Sequence, residues 1–385
     1  MFSSRLHWDF RLNRLSEAIA ARKHARARIL DLTESNPTRA GLAYPQEIVN
    51  AFQDPRMLVY EPAPAGMEEA KQAVSAYYAL RGHAVDISRI LLTASTSEAY
   101  AYLFKLLCNP GDEVLVPRPS YPLFEFLANL ESVAVGQYPL MFHGGWIIDL
   151  QALENAITKR TKAIVLVNPN NPTGSFVKRP ELLALQRLCA EREIVLIGDE
   201  VFSDYAFGPD PARVDTLVEV EDCLAFSMSG LSKIAGLPQM KLGWIVAGGP
   251  EKLRQEAAEK LEWIADTYLS VSTPVQCAAS RLLRAGEEVQ RQIRDRSAAN
   301  LAAARTALLG SSMNILAVEG GWYITIQVPR VRSEEEWTLE LLEEHDVLVQ
   351  PGFFFDFESE AFLVVSLLTP PGVFLEGIRR LRQME

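Results

Sequence analysis

The sequence predicts an α/β fold: a large domain built on a mostly parallel sheet covered by helices on both faces, plus a smaller α+β domain formed by the C-terminal part and the N-terminal segment. Three observations predict it. From Arg89 to Gly248, short and almost wholly apolar strands alternate with helical stretches, the signature of a parallel sheet buried on both sides. Past Glu251 the pattern changes to long helices followed by strands that read as antiparallel. Finally, unusual polar clusters stand where successive strands end, and ligands of open α/β sheets collect beyond those ends.

Each element has its own local reason. Residues 5–29, rich in Arg and Ala at helical spacing, predict an exposed N-terminal helix whose charges form its solvated face. Ile29–Pro45 reads as a short strand breaking into an Asn-Pro turn. Met67–Leu80 opens with acids in its first turn and keeps helical periodicity. Strand Arg89–Ser95, helix Ser97–Cys108, turn Asn109–Asp112 and strand Glu113–Pro117 follow, with a helix around Leu123–Leu130. The alternation continues through strand Ser132–Pro139, helix Leu150–Ile157, strand Ala163–Pro169, helix Pro180–Glu193 and strand Ile194–Glu200. Strands Ala225–Ser229 and Leu242–Gly248 flank a Gly/Ser-rich segment. A long helix from Glu251 leads to more helix ending near Leu309, strands at Gly320–Pro329, Leu348–Phe353 and Phe362–Leu368, and a final helix. The domain limits drawn from this pattern are 1–45 for the N-terminal arm and small-domain segment, 46–275 for the large domain and 276–385 for the small domain.

Composition narrows the function. A net charge of −11 argues against nucleic acid or an anionic membrane as the main partner. Cys108, Cys189, Cys223 and Cys277 form no CxxC pair, and the histidines are equally dispersed, so no metal site is expected. Scattered thiols of this kind fit a reducing compartment. The N-terminus lacks the apolar core of a signal peptide, and no apolar run reaches membrane-spanning length, so the cytoplasm is the expected location. Phe2, Leu6, Trp8 and Phe10 interleave with arginines and read as an arm, either on a partner subunit or over the mouth of a site.

The chain is organised around Ser229–Trp244, where Lys233 sits among small uncharged residues and Lys241 follows eight positions on. Two cations in such a segment suit a reactive amine and an anion holder, because a poorly solvated lysine has a lowered pKa and can form a Schiff base. The same segment also reads as a loop with two solvated lysines. Thr93–Glu98 follows a strand and opens a helix, so Ser95, Thr96 and Ser97 could cup a phosphate or simply cap the helix. Asn168–Gly174 holds more turn residues than a connection needs, and Asn171 could donate to an oxygen. Asp199-Glu200 ends an apolar strand, and a buried carboxylate needs a cation. Tyr121 follows another strand end and could stack on a flat ring.

With these residues assembled, the chain resembles the fold type I pyridoxal-phosphate enzymes, specifically the class I/II aminotransferases, from about Leu32 to the C-terminal helix. The most specific motifs are NNPTG, the GDE at a strand end, and SK with a cation eight residues on. The resemblance implies a pyridoxal-phosphate-dependent aminotransferase, bound through a Lys233 Schiff base and moving an amino group from a donor to a 2-oxo acid in a ping-pong cycle. It further implies that Asp199 pairs with the pyridine nitrogen, Asn171 hydrogen-bonds the ring hydroxyl and Tyr121 stacks on the ring. Ser95, Thr96, Ser97, Ser232 and Lys241 would hold the phosphate. Tyr60 matches the family's tyrosine that reaches the neighbouring subunit's cofactor, which implies a homodimer. The family's later segments appear as Ser272 to Gln276 and Pro351-Gly352 to Phe355.

Three positions depart from the family pattern. Phe202 stands where the family has a tyrosine, removing a donor to the ring hydroxyl. Lys241 stands for the phosphate arginine, a point charge in place of a fork. Val364 stands where the family's substrate-carboxylate arginine belongs, two residues before Ser366. Arg39, beside Asn36, or Arg118, beside the stacking tyrosine, could replace that arginine, or both could be surface residues. Alternatively the substrate carries no carboxylate there, and the enzyme is a decarboxylase, a lyase or an amine-directed transaminase. A non-catalytic protein that kept the fold is the reading from a different class, and loss of turnover in Lys233→Ala separates it.

Overall fold

The computed structural model describes residues 2–6, 8 and 13–385; His7 and Phe10 of the N-terminal arm lie outside the described residues. Ser4–Leu6 forms a 3-10 turn, and helix α1 covers Arg14–His24. The single helix expected over 5–29 is therefore shorter. Asn13 stops it at one end, its Oδ1 accepting from Ser16 N at 2.8 Å, and Arg26 turns left-handed at φ 54° beyond the other. Nor is it free of the body, because Leu15 is buried with Leu339, Leu342 and Leu348.

The remaining elements alternate as the apolar pattern requires. Strand β1 (Leu30–Asp31) precedes α2 (Glu47–Asn50) and α3 (Glu68–Leu80). Then come β2 (Ile90–Thr93), α4 (Thr96–Leu107), β3 (Glu113–Arg118), α5 (Leu123–Leu130), β4 (Ala134–Phe142), β5 (Trp146–Ile148) and α6 (Leu150–Ala156). The central strands β6 (Thr161–Val167) and β7 (Val195–Asp199) flank α7 (Arg179–Arg192), and β8 (Ala225–Gly230) runs into the one-turn helix α8 (Leu231–Ile234) before β9 (Gly243–Gly248). Two long helices follow, α9 (Glu251–Asp266) and α10 (Thr273–Ala307). The chain ends through β10 (Asn314–Ile315), β11 (Tyr323–Gln327), α11 (Glu334–His345), β12 (Val347–Leu348), β13 (Gln350–Pro351), β14 (Phe362–Ser366) and α12 (Pro371–Arg382).

Among the described residues the large sheet has eight strands in the order β2-β9-β8-β7-β6-β3-β4-β5. Strands β8, β7, β6, β3 and β4 run parallel, while β9 is antiparallel to both neighbours and β5 closes a hairpin on β4. Side chains alternate across a strand, so the run Val195-Leu196-Ile197 feeds both layers: Ile197 packs under α4, α5 and α9, and Leu196 under α6 and α7. Hairpin strand β5 carries no clear signal in the sequence, because His143-Gly144-Gly145 resembles a loop tip and the strand is three residues long.

The second sheet is antiparallel, in the order β10-β11-β14-β13. Strand β1 pairs in parallel with β12, through Leu30 with Val347 and Asp31 with Leu348, so the N-terminal segment joins the C-terminal part. The proposed domain limit at 275/276 falls in the first turn of α10. There the Gln276 side chain accepts from Met67 N at 2.6 Å and donates to Val271 O at 2.9 Å.

Candidate active site

The carboxyl ends of β6, β7 and β8, together with the N-terminus of α4, surround a cavity of about 420 Å³. Lys233 reaches it from α8, which begins directly where β8 ends. Its Nζ lies 5.4 Å from the ring centroid of Trp322 and 5.8 Å from that of Phe202. Burial lowers the proton affinity of this amine below the ordinary lysine value, while the charge of Asp199 works in the opposite direction. The backbone is held as well, since the Tyr205 hydroxyl donates to Lys233 O at 2.5 Å.

Asp199 is the last residue of β7. Its Oδ2 accepts from the Tyr100 hydroxyl at 3.0 Å and its Oδ1 from Val201 N at 3.3 Å. Burial pushes the carboxyl above its usual range, and these hydrogen bonds and Lys233 pull it back. The adjacent Glu200 turns away from the cavity. It accepts from Thr216 Oγ1 at 2.7 Å, Leu217 N at 2.7 Å and Ser227 Oγ at 3.0 Å, and burial lifts it to about 7. The sequence doublet is thus two separate carboxylates with different surroundings.

The asparagine-rich loop after β6 divides its labour. Asn168 donates to Val214 O at 2.7 Å and accepts from Val177 N at 3.0 Å, and Asn170 accepts from Thr173 Oγ1 at 3.0 Å. Both fasten the loop. Asn171 alone of the three lines the cavity, buried, and its Oδ1 has no hydrogen-bond partner among the described residues.

Ser95, Thr96 and Ser97 line the opposite end at the start of α4. Ser95 Oγ accepts from Glu98 N at 3.2 Å, so it caps the helix and lines the cavity at once. Ser232 and Lys241 also line it, the latter with a left-handed backbone at φ 52°. Gly243 lets β9 approach this end closely: a Cβ there would come within 3.2 Å of the Ser95 backbone carbon. Tyr121, about half exposed, stands at the mouth.

The other expected site residues lie elsewhere. The Asn36 Oδ1 accepts from Thr38 N and Oγ1 in a local turn, and Arg39 is exposed. Arg118 donates from Nε to Asp356 O at 2.8 Å and lies 3.8 Å from Glu358. Val364 is fully buried in an apolar cluster with Trp146, Leu316, Phe355, Phe357 and Phe362. Tyr60 is exposed and borders a different, smaller pocket beside Glu61 and Gln276. None of these five lines the cavity, and no arginine among the described residues does.

The family profile described as "Aminotransferase class I and II" matches residues 27–373. This chain belongs to that family. It is 30% identical over 260 residues to the glutamate-pyruvate aminotransferase AlaA of Escherichia coli (strain K12), an alignment covering 66% of this chain and 64% of that protein. It is 28% identical to the tyrosine aminotransferase of Mus musculus over 376 residues, covering 92% of this chain and 80% of that protein. Among solved structures, the alanine aminotransferase from Pyrococcus furiosus shares the fold with a TM-score of 0.90 at 23% identity, covering 100% of this chain and 99% of that one.

Members of the class I and II aminotransferase family use pyridoxal phosphate, and the lining residues fit that group. The unpartnered, buried Asn171 Oδ1 marks a polar wall built for something beyond the protein. Asp199 is partly buried at the cavity wall and makes no ion pair among the described residues, which suits a ring N–H. Lys241 and the open N–H groups of α4 supply a matched anion end.

Several lining residues carry little or no signal in the sequence. Tyr100 sits in the apolar rhythm of α4 and looks like core. Tyr323 opens β11 far along the chain, and only the GGW turn before it marks the spot; Trp322 in that turn packs beside the Lys233 amine without lining the cavity. Ser35, Phe124 and Gln350 have no local signature at all, and Phe355 is marked only as the end of the Pro351-Gly352 segment. No helix among the described residues is long and apolar enough to cross a membrane. Glu340, Glu344 and His345 come together on α11, but Glu340 is already paired with Arg332 at 3.0 Å.

Proposed function

We propose that the protein is a pyridoxal-phosphate-dependent aminotransferase that moves an amino group from an amino donor to a 2-oxo acid in two half-reactions. One observation carries the reading: a partly buried lysine amine and a partly buried carboxylate line one cavity, whose other end is a helix N-terminus with a second lysine. Pyridoxal phosphate, when bound, supplies an electron sink for a carbanion next to the amino group. The chain's residues do the rest.

Lys233 is the attachment point and the carrier of the substrate proton. Burial keeps part of its amine neutral at lower pH than a surface lysine, as a base and nucleophile requires. Asp199 accepts the ring N–H and so holds that nitrogen protonated. Asn171 hydrogen-bonds the ring oxygen without help from position 202, because Phe202 has no donor. Tyr121 covers the ring face at the mouth. Ser95, Thr96, Ser97 and Ser232 hydrogen-bond the phosphate, and Lys241 supplies the charge, assisted by the α4 N-terminus.

Leu58, Val59 and Tyr60 form a run of exposed large side chains, which supports a homodimer in which Tyr60 serves the neighbouring cavity. The four free cysteines support a cytoplasmic setting.

A second reading concerns the substrate. No arginine lines the cavity among the described residues and Val364 is sealed in apolar packing, which favours amines or amino alcohols over donors with an α-carboxylate. The test is a half-reaction on cofactor-loaded protein, with amino acids and their decarboxylated amines added singly while the visible band is followed. Bleaching by amino acids supports the first reading, and bleaching by amines alone supports the second. Absence of any visible band in loaded wild type, or an unchanged band in Lys233→Ala, overturns both.

A further inference from the structure

Asp199 receives a hydrogen bond to which the cofactor reading above gives no role. Its Oδ2 accepts from the Tyr100 hydroxyl at 3.0 Å, and Tyr100 itself lines the cavity from α4. Tyr100 is buried, and its ring is wedged edge-on against Phe124 at 5.5 Å and tilted against Phe104 at 5.8 Å. Aromatic packing of this kind fixes where the hydroxyl points. Helix α4 therefore contributes twice: its first turn lines the anion end through Ser95, Thr96 and Ser97, and one turn later it sets the carboxylate.

The groups acting on Asp199 are few. Tyr100 comes from α4, Val201 N from the residues just after β7 at the longer 3.3 Å, and Lys233 from α8. Tyr138, on β4, is the next titratable group acting on Tyr100. Burial opposes the charge on Asp199, so the charged form depends on its donors. Of the three, Lys233 is the one whose amine is consumed in the proposed chemistry, so its charge is not constant through a cycle. Tyr100 is constant, because burial and the adjacent Asp199 keep its hydroxyl protonated to well above the ordinary tyrosine range.

We infer that Tyr100 is a positioning residue that keeps Asp199 ionised and aimed at the cofactor's ring nitrogen. This rests on the cofactor reading above. The reasoning is that a hydrogen bond to the charged form of a buried carboxylate favours that form, and that charge-assisted bonds of this type are the strong ones. A neutral carboxyl could not hold the ring nitrogen protonated, and the electron sink would weaken.

The experiment compares Tyr100→Phe with Tyr138→Phe in the full chain loaded with pyridoxal phosphate labelled with ¹⁵N in the ring. Tyr138 is equally buried and donates to Val165 O at 2.7 Å, so its variant loses a comparable hydrogen bond made to a backbone carbonyl of β6 rather than to Asp199. The readouts are the ring ¹⁵N chemical shift, the pH titration of the visible band and the cofactor dissociation constant. Tyr100→Phe is expected to move the ¹⁵N signal toward the unprotonated value, shift the band titration and weaken cofactor retention roughly tenfold. Tyr138→Phe should lower the melting temperature and leave the spectra alone. Site-specific 3-fluorotyrosine at position 100, a stronger donor, should move the ¹⁵N signal and titration in the opposite direction, and it keeps the test alive if Tyr100→Phe folds poorly. A loaded wild type with a visible band, but with spectra insensitive to both changes at position 100, overturns this inference alone. A wild type with no band overturns the cofactor reading and this inference with it.

Discussion

The hydroxyl of Tyr205 donates to the backbone carbonyl of Lys233 at 2.5 Å, tying the turn after β7 to the one-turn helix that carries the reactive amine. Tyr205 is buried, and its ring also meets Trp322 edge-on at 5.2 Å. Trp322 in turn lies beneath the Lys233 amine. A helix of four residues has almost no hydrogen bonds of its own, so its position depends on such outside ties. Tyr205→Phe keeps the ring and removes the donor, leaving Lys233 O with its longer bond from Gly236 N at 3.2 Å. A loss of about 1 kcal/mol in urea unfolding is expected. An unchanged midpoint together with unchanged turnover would show that α8 is held by other means.

Glu200 makes stability depend on pH. It is lifted from 4.5 to about 7, mainly by burial, so the folded chain binds its proton more tightly than the unfolded chain does. Its contribution is fully present below about 4.5 and is lost as pH rises through about 7. The window is worth about 3 kcal/mol at most. Glu200→Gln should flatten the slope of unfolding free energy between about pH 5 and 7, measured by urea titration at stepped pH; a slope identical to wild type would place the dependence on other groups.

Lys241 supplies the charge of the proposed phosphate end. Lys241→Ala should weaken pyridoxal phosphate retention by about one to two orders of magnitude, whereas Lys241→Arg, which keeps the sign of the charge, should lose much less. Equilibrium dialysis of the cofactor measures this. Equal affinity in Lys241→Ala would move the anion site away from α4.

Restoring an arginine at position 364 should not create a carboxylate site. Val364 is fully buried among Trp146, Leu316 and Phe355, so a guanidinium there would be uncompensated. Val364→Arg should destabilise the fold by about 3 kcal/mol or more, read as a lower melting temperature. A stable variant that gains activity toward amino acids would instead show that this strand can turn its side chain into the cavity.

The sequence by itself determined the alternation of strands and helices, and the polar residues at the strand ends. Both are local properties. The two-residue period of a strand, the apolar filling of β6, β7 and β8, and the Ser/Thr start of α4 are written within a few neighbouring residues. Lys233, Asp199, Asn171 and the three hydroxyl residues of α4 are therefore legible in the chain as candidates, and the fold brings them to one cavity. Only the tertiary structure decided which way competing side chains turn. Asn168, Asn170 and Asn171 are the same residue type in one loop, and the distant Val214, together with Val177 nine residues on, takes up the first of them. Arg118 stands next to a strand end as a site residue would, yet the 356–358 segment from the far end of the chain claims its guanidinium. Tyr100 reads as helix core, and its hydroxyl gains meaning only because β7 delivers Asp199 beside it, 99 residues away. Periodicity reports which face of an element is apolar. Which polar group meets which depends on contacts between segments far apart in the chain, and no local pattern encodes them.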